Sequence, residues 1–330
     1  MVQTDRESFE KVLETVSRIE AEVSRHMIGQ KEVIRQVIIC MLAGGNVLLE
    51  GMPGLGKTRL VNILGKVMGL QFSRIQFTPD LMPADVTGTN IIDREEGGQG
   101  MFKFQPGPIF SNIVLADEIN RATPKTQSAM LQAMQEKTVT IANTTYELPT
   151  PFFVLATQNP IEMEGTYPLP EAQMDRFLFK LNVPSPGFDE LKGIINLTTK
   201  NTEETVEKVT NAEEIIKIQK AAREIPIAEP VLDYAIRIVM ATRPDDAASP
   251  EPVKKYVRYG SSPRGAQAVI STARIRALLC GRYNVSFEDI QTVAYPSLRH
   301  RIFVNFDAVS DNITPDMIID GIIKDVKTYQ

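Results

Sequence analysis

Cysteine and histidine are scarce in this chain of 330 residues, with two of each. Cys40 and Cys280 are too few for a disulfide framework, and a cytoplasmic location is the expectation. His26 and His300 alone cannot supply a histidine-rich metal centre. No run of 18 apolar residues occurs, so no helix is expected to span a bilayer. Residues 1–10 are charged and carry no apolar segment, which argues against a secretory signal. Positive charge is not in excess either. A net charge of −5 and an isoelectric point near 5.4 speak against a protein that coats nucleic acid. Repeats at solenoid spacing and low-complexity tracts are absent. What remains is 43% hydrophobic and 23% charged, an ordinary globular composition long enough for two domains.

The apolar residues Phe9, Val12, Leu13, Val16, Ile19 and Val23 recur at helical spacing. A second helical pattern over 31–43 stops at Gly44 and Gly45. Cys40, among Ile38, Ile39, Met41 and Leu42, reads as a small core residue rather than a reactive thiol. From there the pattern changes. Short apolar runs at 46–50, 72–77, 113–116 and 152–156 read as buried strands, with helical stretches at 58–68 and 125–137 between them. That alternation implies an α/β fold, a parallel sheet with helices on both faces. The strand signal ends near Pro184, and helical patterns follow at 191–197, 212–223, 231–241, 265–279 and 287–295. The expected organisation is therefore an α/β core over 1–185 and an all-α domain over 186–330. Two hairpins are expected within the core. One pairs 89–92 with 101–104 around a Gly-rich tip at 93–100, and the other pairs 138–141 with 145–148.

The strongest chemical signal is GMPGLGKT at 51–58, placed between the strand NVLLE and a helical stretch. It matches the phosphate-loop pattern in the context that the pattern needs. Glycines let successive backbone N–H groups point inward on phosphate oxygens, and the helix N-terminus adds positive potential. Gly51, Pro53, Gly54, Leu55, Gly56, Lys57, Thr58 and Arg59 are the expected nucleotide-binding residues. Lys57 would reach the β- and γ-phosphates, and the Thr58 hydroxyl would ligate Mg²⁺. The run NIVLADE at 112–118 ends a strand in two acids, beside that loop. Asp117 would hold the Mg²⁺ shell and Glu118 would act as general base on a water. At the end of the next strand, ATQNP at 156–160 offers Asn159, a neutral amide able to orient water near Glu118. ATP hydrolysis is the reaction these residues point to.

Together with MIGQ at 27–30, DEINRA at 117–122, PLPEAQMDRF at 168–177, SPRG at 262–265 and LRHR at 298–301, these motifs resemble the MoxR family of AAA+ ATPases over most of the chain. The resemblance implies an AAA+ core followed by a helical lid. It implies that Asn159 is the first sensor and that Arg176 is an arginine finger reaching a neighbouring subunit's ATP. Arg264 would be the lid's sensor arginine, and Met27, Ile28 and Gly29 would belong to the adenine pocket. The hairpins resemble the helix-2 insert and pre-sensor-1 hairpin of the clade that includes magnesium chelatase and dynein. For both arginines a surface ion pair remains the alternative. Arg121 could line a subunit interface, His300 reads as a packing or interface residue, and the basic run at 254–259 reads as a solvated helix face.

The family implies an Mg²⁺-dependent ATPase, assembled as a hexameric ring, that remodels or matures client proteins. Cofactor or metal insertion, and partners with von Willebrand factor A domains, belong to that implication. A magnesium chelatase-like motor subunit and a DNA-associated motor are the alternatives. The stretch 89–104 lacks the Gly-Ala-Phe-Thr-Gly-Ala loop of transcription activators built on the same engine. A non-hydrolysing adaptor is disfavoured by the intact set of Lys57, Asp117, Glu118, Asn159 and Arg176.

Overall fold

In the computed structural model, residues 3–52, 54–93, 101–159, 165–199 and 205–328 are described. Pro53, most of the expected hairpin tip and Pro160 lie outside them. Helices α1 (Gln3–His26) and α2 (Lys31–Leu42) lead into β1 (Val47–Glu50), α3 (Lys57–Met68) and β2 (Phe72–Gln76). Then come α4 (Pro83–Thr87), the strands β3 (Gly88–Asp93), β4 (Met101–Pro106) and β5 (Ile113–Asp117), and a single 3-10 turn. The core continues through α5 (Pro124–Glu136), β6 (Thr138–Ile141), β7 (Thr144–Glu147), β8 (Phe153–Gln158), α6 (Glu171–Met174) and β9 (Phe179–Asn182). The remainder is largely helical: α7 (Phe188–Thr198), α8 (Ala212–Arg223), α9 (Glu229–Met240), α10 (Glu251–Tyr256) and, after β10 (Val257–Tyr259), α11 (Pro263–Leu279). It ends with α12 (Phe287–Leu298), β11 (Phe303–Val304), α13 (Phe306–Ser310) and α14 (Pro315–Asp325).

The main sheet has five parallel strands in the order β2-β5-β8-β1-β9. Strand side chains alternate between its faces. Val47, Leu49, Ile113, Leu115, Phe153 and Leu155 enter one core, while Leu48, Val114, Ala116, Val154 and Ala156 enter the other. The first core takes in α1, α2 and α3 and also the apolar faces of α8, α9, α11, α12 and α14. The helical half thus shares its core with one face of the sheet. Val86 of α4 and Met130, Leu131 and Met134 of α5 close the other face.

The four expected strands are present, and β9 is an additional one at the sheet edge. Lys180 and Asn182 interrupt its apolar run, because only alternate residues of this edge strand, Phe179 and Leu181, are fully buried. Both hairpins form, β3 with β4 and β6 with β7. They also brace each other. The Phe104 ring stacks on Tyr146 at 4.1 Å between centroids and meets Phe110 edge-on at 5.4 Å. The basic run departs from expectation. Lys254 and Lys255 lie on α10, but Val257, Arg258 and Tyr259 form β10, paired antiparallel with β11 because Val257 is drawn into the core. Among the described residues no helix is long and apolar enough to cross a membrane.

Glu22 ties α1 to the second half of the chain. Its Oε1 accepts the Glu207 backbone N–H at 2.9 Å and lies 2.9 Å from His26 Nε2, and its Oε2 accepts from Arg25 at 2.7 Å. The Glu207 N–H, then His26, hold this carboxyl at about 2, below its ordinary 4.5. A depressed carboxylate stabilises the fold fully above its unfolded value and loses that contribution as pH falls through its folded value. Glu22→Gln is therefore expected to lower stability at neutral pH. In chemical denaturation the gap between the two proteins should shrink between about pH 4.5 and 2. A gap independent of pH would contradict the ionised role.

Candidate functional site

The C-terminal ends of β1, β5 and β8 open into one cavity of about 380 Å³. This is where parallel α/β sheets place their ligands. Gly51, Gly54, Leu55 and Gly56 line it from the loop after β1, Lys57 and Thr58 from the start of α3, Arg74 and Gln76 from β2, Asp117 and Glu118 from the end of β5 and the residue after it, and Thr157, Gln158 and Asn159 from the end of β8 and the residue after it.

The loop must turn sharply from strand into helix, and it does so through the left-handed region. Gly54 has φ 81° and Gly56, the residue before α3, has φ 76°. Side chains there would be strained, which is why the motif requires glycine. The Gly51 N–H donates to the Gln158 carbonyl at 3.3 Å, fastening the loop to β8. Lys57 Nζ reaches back across the loop to the Gly51 carbonyl at 2.6 Å. Burial lowers the Lys57 ammonium from its usual range, while the carboxylates of Asp117, Glu118 and Glu50 oppose that shift. α3 begins at Lys57, so the positive end of its dipole lies at the cavity.

The two acids are fixed by different partners. Asp117 Oδ2 accepts from Arg74 Nη2 at 2.7 Å and Nε at 3.2 Å, and Oδ1 accepts from the Thr157 hydroxyl at 2.7 Å. Glu118 stands at φ 55°, ψ 49°, an uncommon conformation for a residue with a side chain. Its N–H donates to the same Thr157 oxygen at 2.8 Å. Its Oε2 accepts from Gln76 at 3.0 Å and from Arg121 at 3.0 Å. Buried Thr157 thus joins both acids through one hydroxyl. Thr157→Val keeps the volume and removes both bonds. Turnover is expected to fall about 10–100-fold, the usual effect of losing a residue that orients a metal-binding or catalytic group. ATPase assays on the variant would check this, with unchanged turnover counting against it.

Several expected residues lie beside the cavity rather than in its wall. At Gly29, φ is 72° and an added Cβ would lie 2.6 Å from Glu190 of α7, while Gly193 of α7 abuts Ile28. Met27 comes close to Gly56, and Gln30 donates to the Leu55 carbonyl at 3.3 Å. The segment 27–30 therefore bridges the phosphate-type loop and α7. Arg59 donates to the His26 carbonyl at 3.2 Å, towards the end of α1. Arg176 follows α6, is half-buried, and makes no side-chain hydrogen bond or ion pair among the described residues. Arg264, in the first turn of α11, pairs with Asp175 at 3.8 Å. Neither arginine lines the cavity.

Sequence reasoning missed Arg74, Gln76 and Thr157. The first two sit two residues apart on β2, polar residues on one face of a strand read as buried. That alternation was the available signal. Thr157 carried no signal separable from an ordinary strand threonine.

The profile for the ATPase family associated with various cellular activities (AAA) matches residues 46–179, and the AAA lid domain profile matches 251–322. Chaperone MoxR1 of Mycobacterium tuberculosis is 42% identical over 96% of this chain and 83% of its own. An uncharacterised Bacillus subtilis protein, YeaC, is 44% identical over 92% of each chain. The crystal structure of a candidate ATPase from Cytophaga hutchinsonii superposes with a TM-score of 0.92 at 40% identity, covering 98% of both chains. With a phosphate loop, a paired-acid strand and a lid profile on a parallel five-stranded sheet, and with these relatives along nearly its whole length, the chain belongs to the MoxR family of AAA+ ATPases.

Proposed function

We propose that the chain is an Mg²⁺-dependent ATPase, working as a hexameric ring in the cytoplasm, that uses hydrolysis to remodel or mature client proteins. The observation that carries this reading is the convergence of Lys57, Thr58, Asp117, Glu118 and Asn159 on one cavity. The donor set suits Mg²⁺, which is generally held by one or two carboxylates together with phosphate oxygens and water. Thr58 and Asp117 would hold the ion, and it would neutralise charge on the phosphate oxygens. Lys57 and the amides at the start of α3 bind the anionic phosphates. Glu118 accepts a proton from water through Oε1, since Gln76 and Arg121 both bind Oε2. Asn159 orients that water from the tip of β8.

In this reading residues 1–185 form the nucleotide-binding core and 186–330 the lid. Arg176 acts on the neighbouring subunit's ATP and Arg264 on its own. Met27, Ile28 and Gly29, set between the loop and α7, border the adenine. The β3–β4 hairpin carries exposed Ile92 and Phe102 directly opposite each other, an apolar patch suited to clients. A chaperone role is supported by the Mycobacterium relative's name. Maturation of metal- or cofactor-bearing clients, alongside von Willebrand factor A-domain proteins, is the finer form of the proposal. Glu118→Gln should retain ATP and hold clients, so affinity capture with and without ATP tests the reading. ATP-dependent enrichment of a defined set of proteins is expected. Equal recovery under both conditions, or stimulation of the ATPase by duplex DNA, would overturn client remodelling.

A further inference from the structure

The segment 298–301 is unusual in how its side chains are used. Arg301 is almost fully buried, yet its guanidinium meets backbone more than carboxylate. Nη2 donates to the carbonyls of Asp175 at 3.1 Å and Phe177 at 2.7 Å. Nη1 donates to the Leu178 carbonyl at 3.3 Å and to the Ser297 carbonyl, and Nε donates to Asp175 Oδ1 at 2.7 Å. His300 Nε2 lies 3.0 Å from the Phe177 carbonyl, and Arg299 donates to the Lys180 carbonyl at 3.2 Å. Three consecutive side chains of the helical half therefore grip the backbone of 175–180.

A buried guanidinium is tolerated only when its fork of donors is matched. Here the fork closes over the carbonyls on both sides of Arg176, whose own head group it leaves unengaged. Asp175 completes the mount. Its Oδ2 accepts the Ser262 hydroxyl at 3.0 Å and faces Arg264 at 3.8 Å, so the start of α11 is tied to the same carboxylate.

We propose that Arg301 is a positioning residue that aims Arg176 at the neighbouring subunit and makes that aim follow the lid. The proposal rests on the reading of Arg176 as a finger acting in trans. An Arg301 defect is then felt in the neighbour's active site, while the variant's own site stays sound. Arg301→Lys keeps a cation near Asp175 but cannot span the carbonyls of Asp175, Phe177 and Leu178 together with that of Ser297. Misplacing a catalytic group by about 1 Å can cost on the order of 10²-fold.

The test is subunit mixing, with ring assembly checked by sizing and exchange shown by labelled subunits. Alone, Arg301→Lys should bind ATP within about twofold of the unaltered affinity and lose on the order of 10²-fold in kcat. Mixed with Lys57→Ala, which lacks its own nucleotide but keeps Arg176 and Arg301, it should regain activity in proportion to mixed interfaces. Arg176→Ala mixed with Lys57→Ala is the reference. If the reference regains activity and Arg301→Lys does not, the positioning role is overturned and the trans reading stands. If the reference fails despite exchange, the trans reading falls and takes the proposal with it. Unchanged kcat in Arg301→Lys also overturns the proposal. Should Arg301→Lys not assemble, Arg301→Gln carries the same mixing test, since its amide keeps one donor for the 175–178 carbonyls and leaves Asp175 in place to hold Ser262 and Arg264. Rescue by the Lys57→Ala partner is expected there as well, and its absence beside a working reference overturns the proposal.

Discussion

Arg176→Ala is expected to bind ATP normally and to hydrolyse it about 10³–10⁵-fold more slowly, the range by which an arginine finger accelerates phosphoryl transfer. Arg176 lies between α6 and the edge strand β9, outside the cavity wall that holds Lys57, Asp117 and Glu118. Its head group is spent on no partner among the described residues, while the backbone around it is held by Arg301. An arginine so placed is outside the wall of its own site, which is what the proposed action in trans requires. Nucleotide titration and steady-state phosphate release on the single variant measure the size of the loss. Turnover equal to that of the unaltered chain would reject the residue.

Glu118→Gln should leave ATP binding intact and lower turnover by about 10²–10⁴-fold, the usual contribution of a positioned general base. The amide has the carboxylate's shape and can still accept from Gln76 and Arg121. The left-handed backbone at 118 and its N–H bond to Thr157 do not depend on the side chain. What disappears is the proton acceptor. Equilibrium binding together with single-turnover hydrolysis separates the two effects, and full turnover in the variant would remove Glu118 from the role of base.

Much of this site was legible because its chemistry is local in sequence. Gly54, Gly56, Lys57 and Thr58 fall within one short motif, and the requirement for positive φ leaves a readable pattern of glycines. Asp117 and Asn159 were legible for a second reason. Each ends an apolar run, and parallel strands deliver such ends to a common edge. The partners that set the acids' orientation were less visible. Arg74 and Gln76 act across a β2–β5 register that no short motif encodes, and Thr157 differs from a packing threonine only in what it touches. β9 was hidden for a related reason, since an edge strand with Lys180 and Asn182 on one face lacks the continuous apolar run of its neighbours. The grip of 298–301 on 175–180 joins residues more than a hundred positions apart. The sequence showed the motif there but nothing of its use. His300 illustrates this: burial, then the adjacent Arg301 charge, holds its imidazole well below the ordinary value, which fits a packing role.

The most direct test of the account is Mg²⁺-dependent phosphate release from ATP, measured in parallel for the unaltered chain and Lys57→Ala. Lys57 stands at the start of α3, its ammonium within the cavity and bonded to the Gly51 carbonyl. Removing it takes positive charge from the place where the γ-phosphate would sit. The unaltered chain should release phosphate only when Mg²⁺ is present, and Lys57→Ala should lose that release together with its affinity for ATP. Equal phosphate release by the two proteins, or none by the assembled unaltered chain in the presence of Mg²⁺, would contradict the assignment of this cavity as an ATPase site.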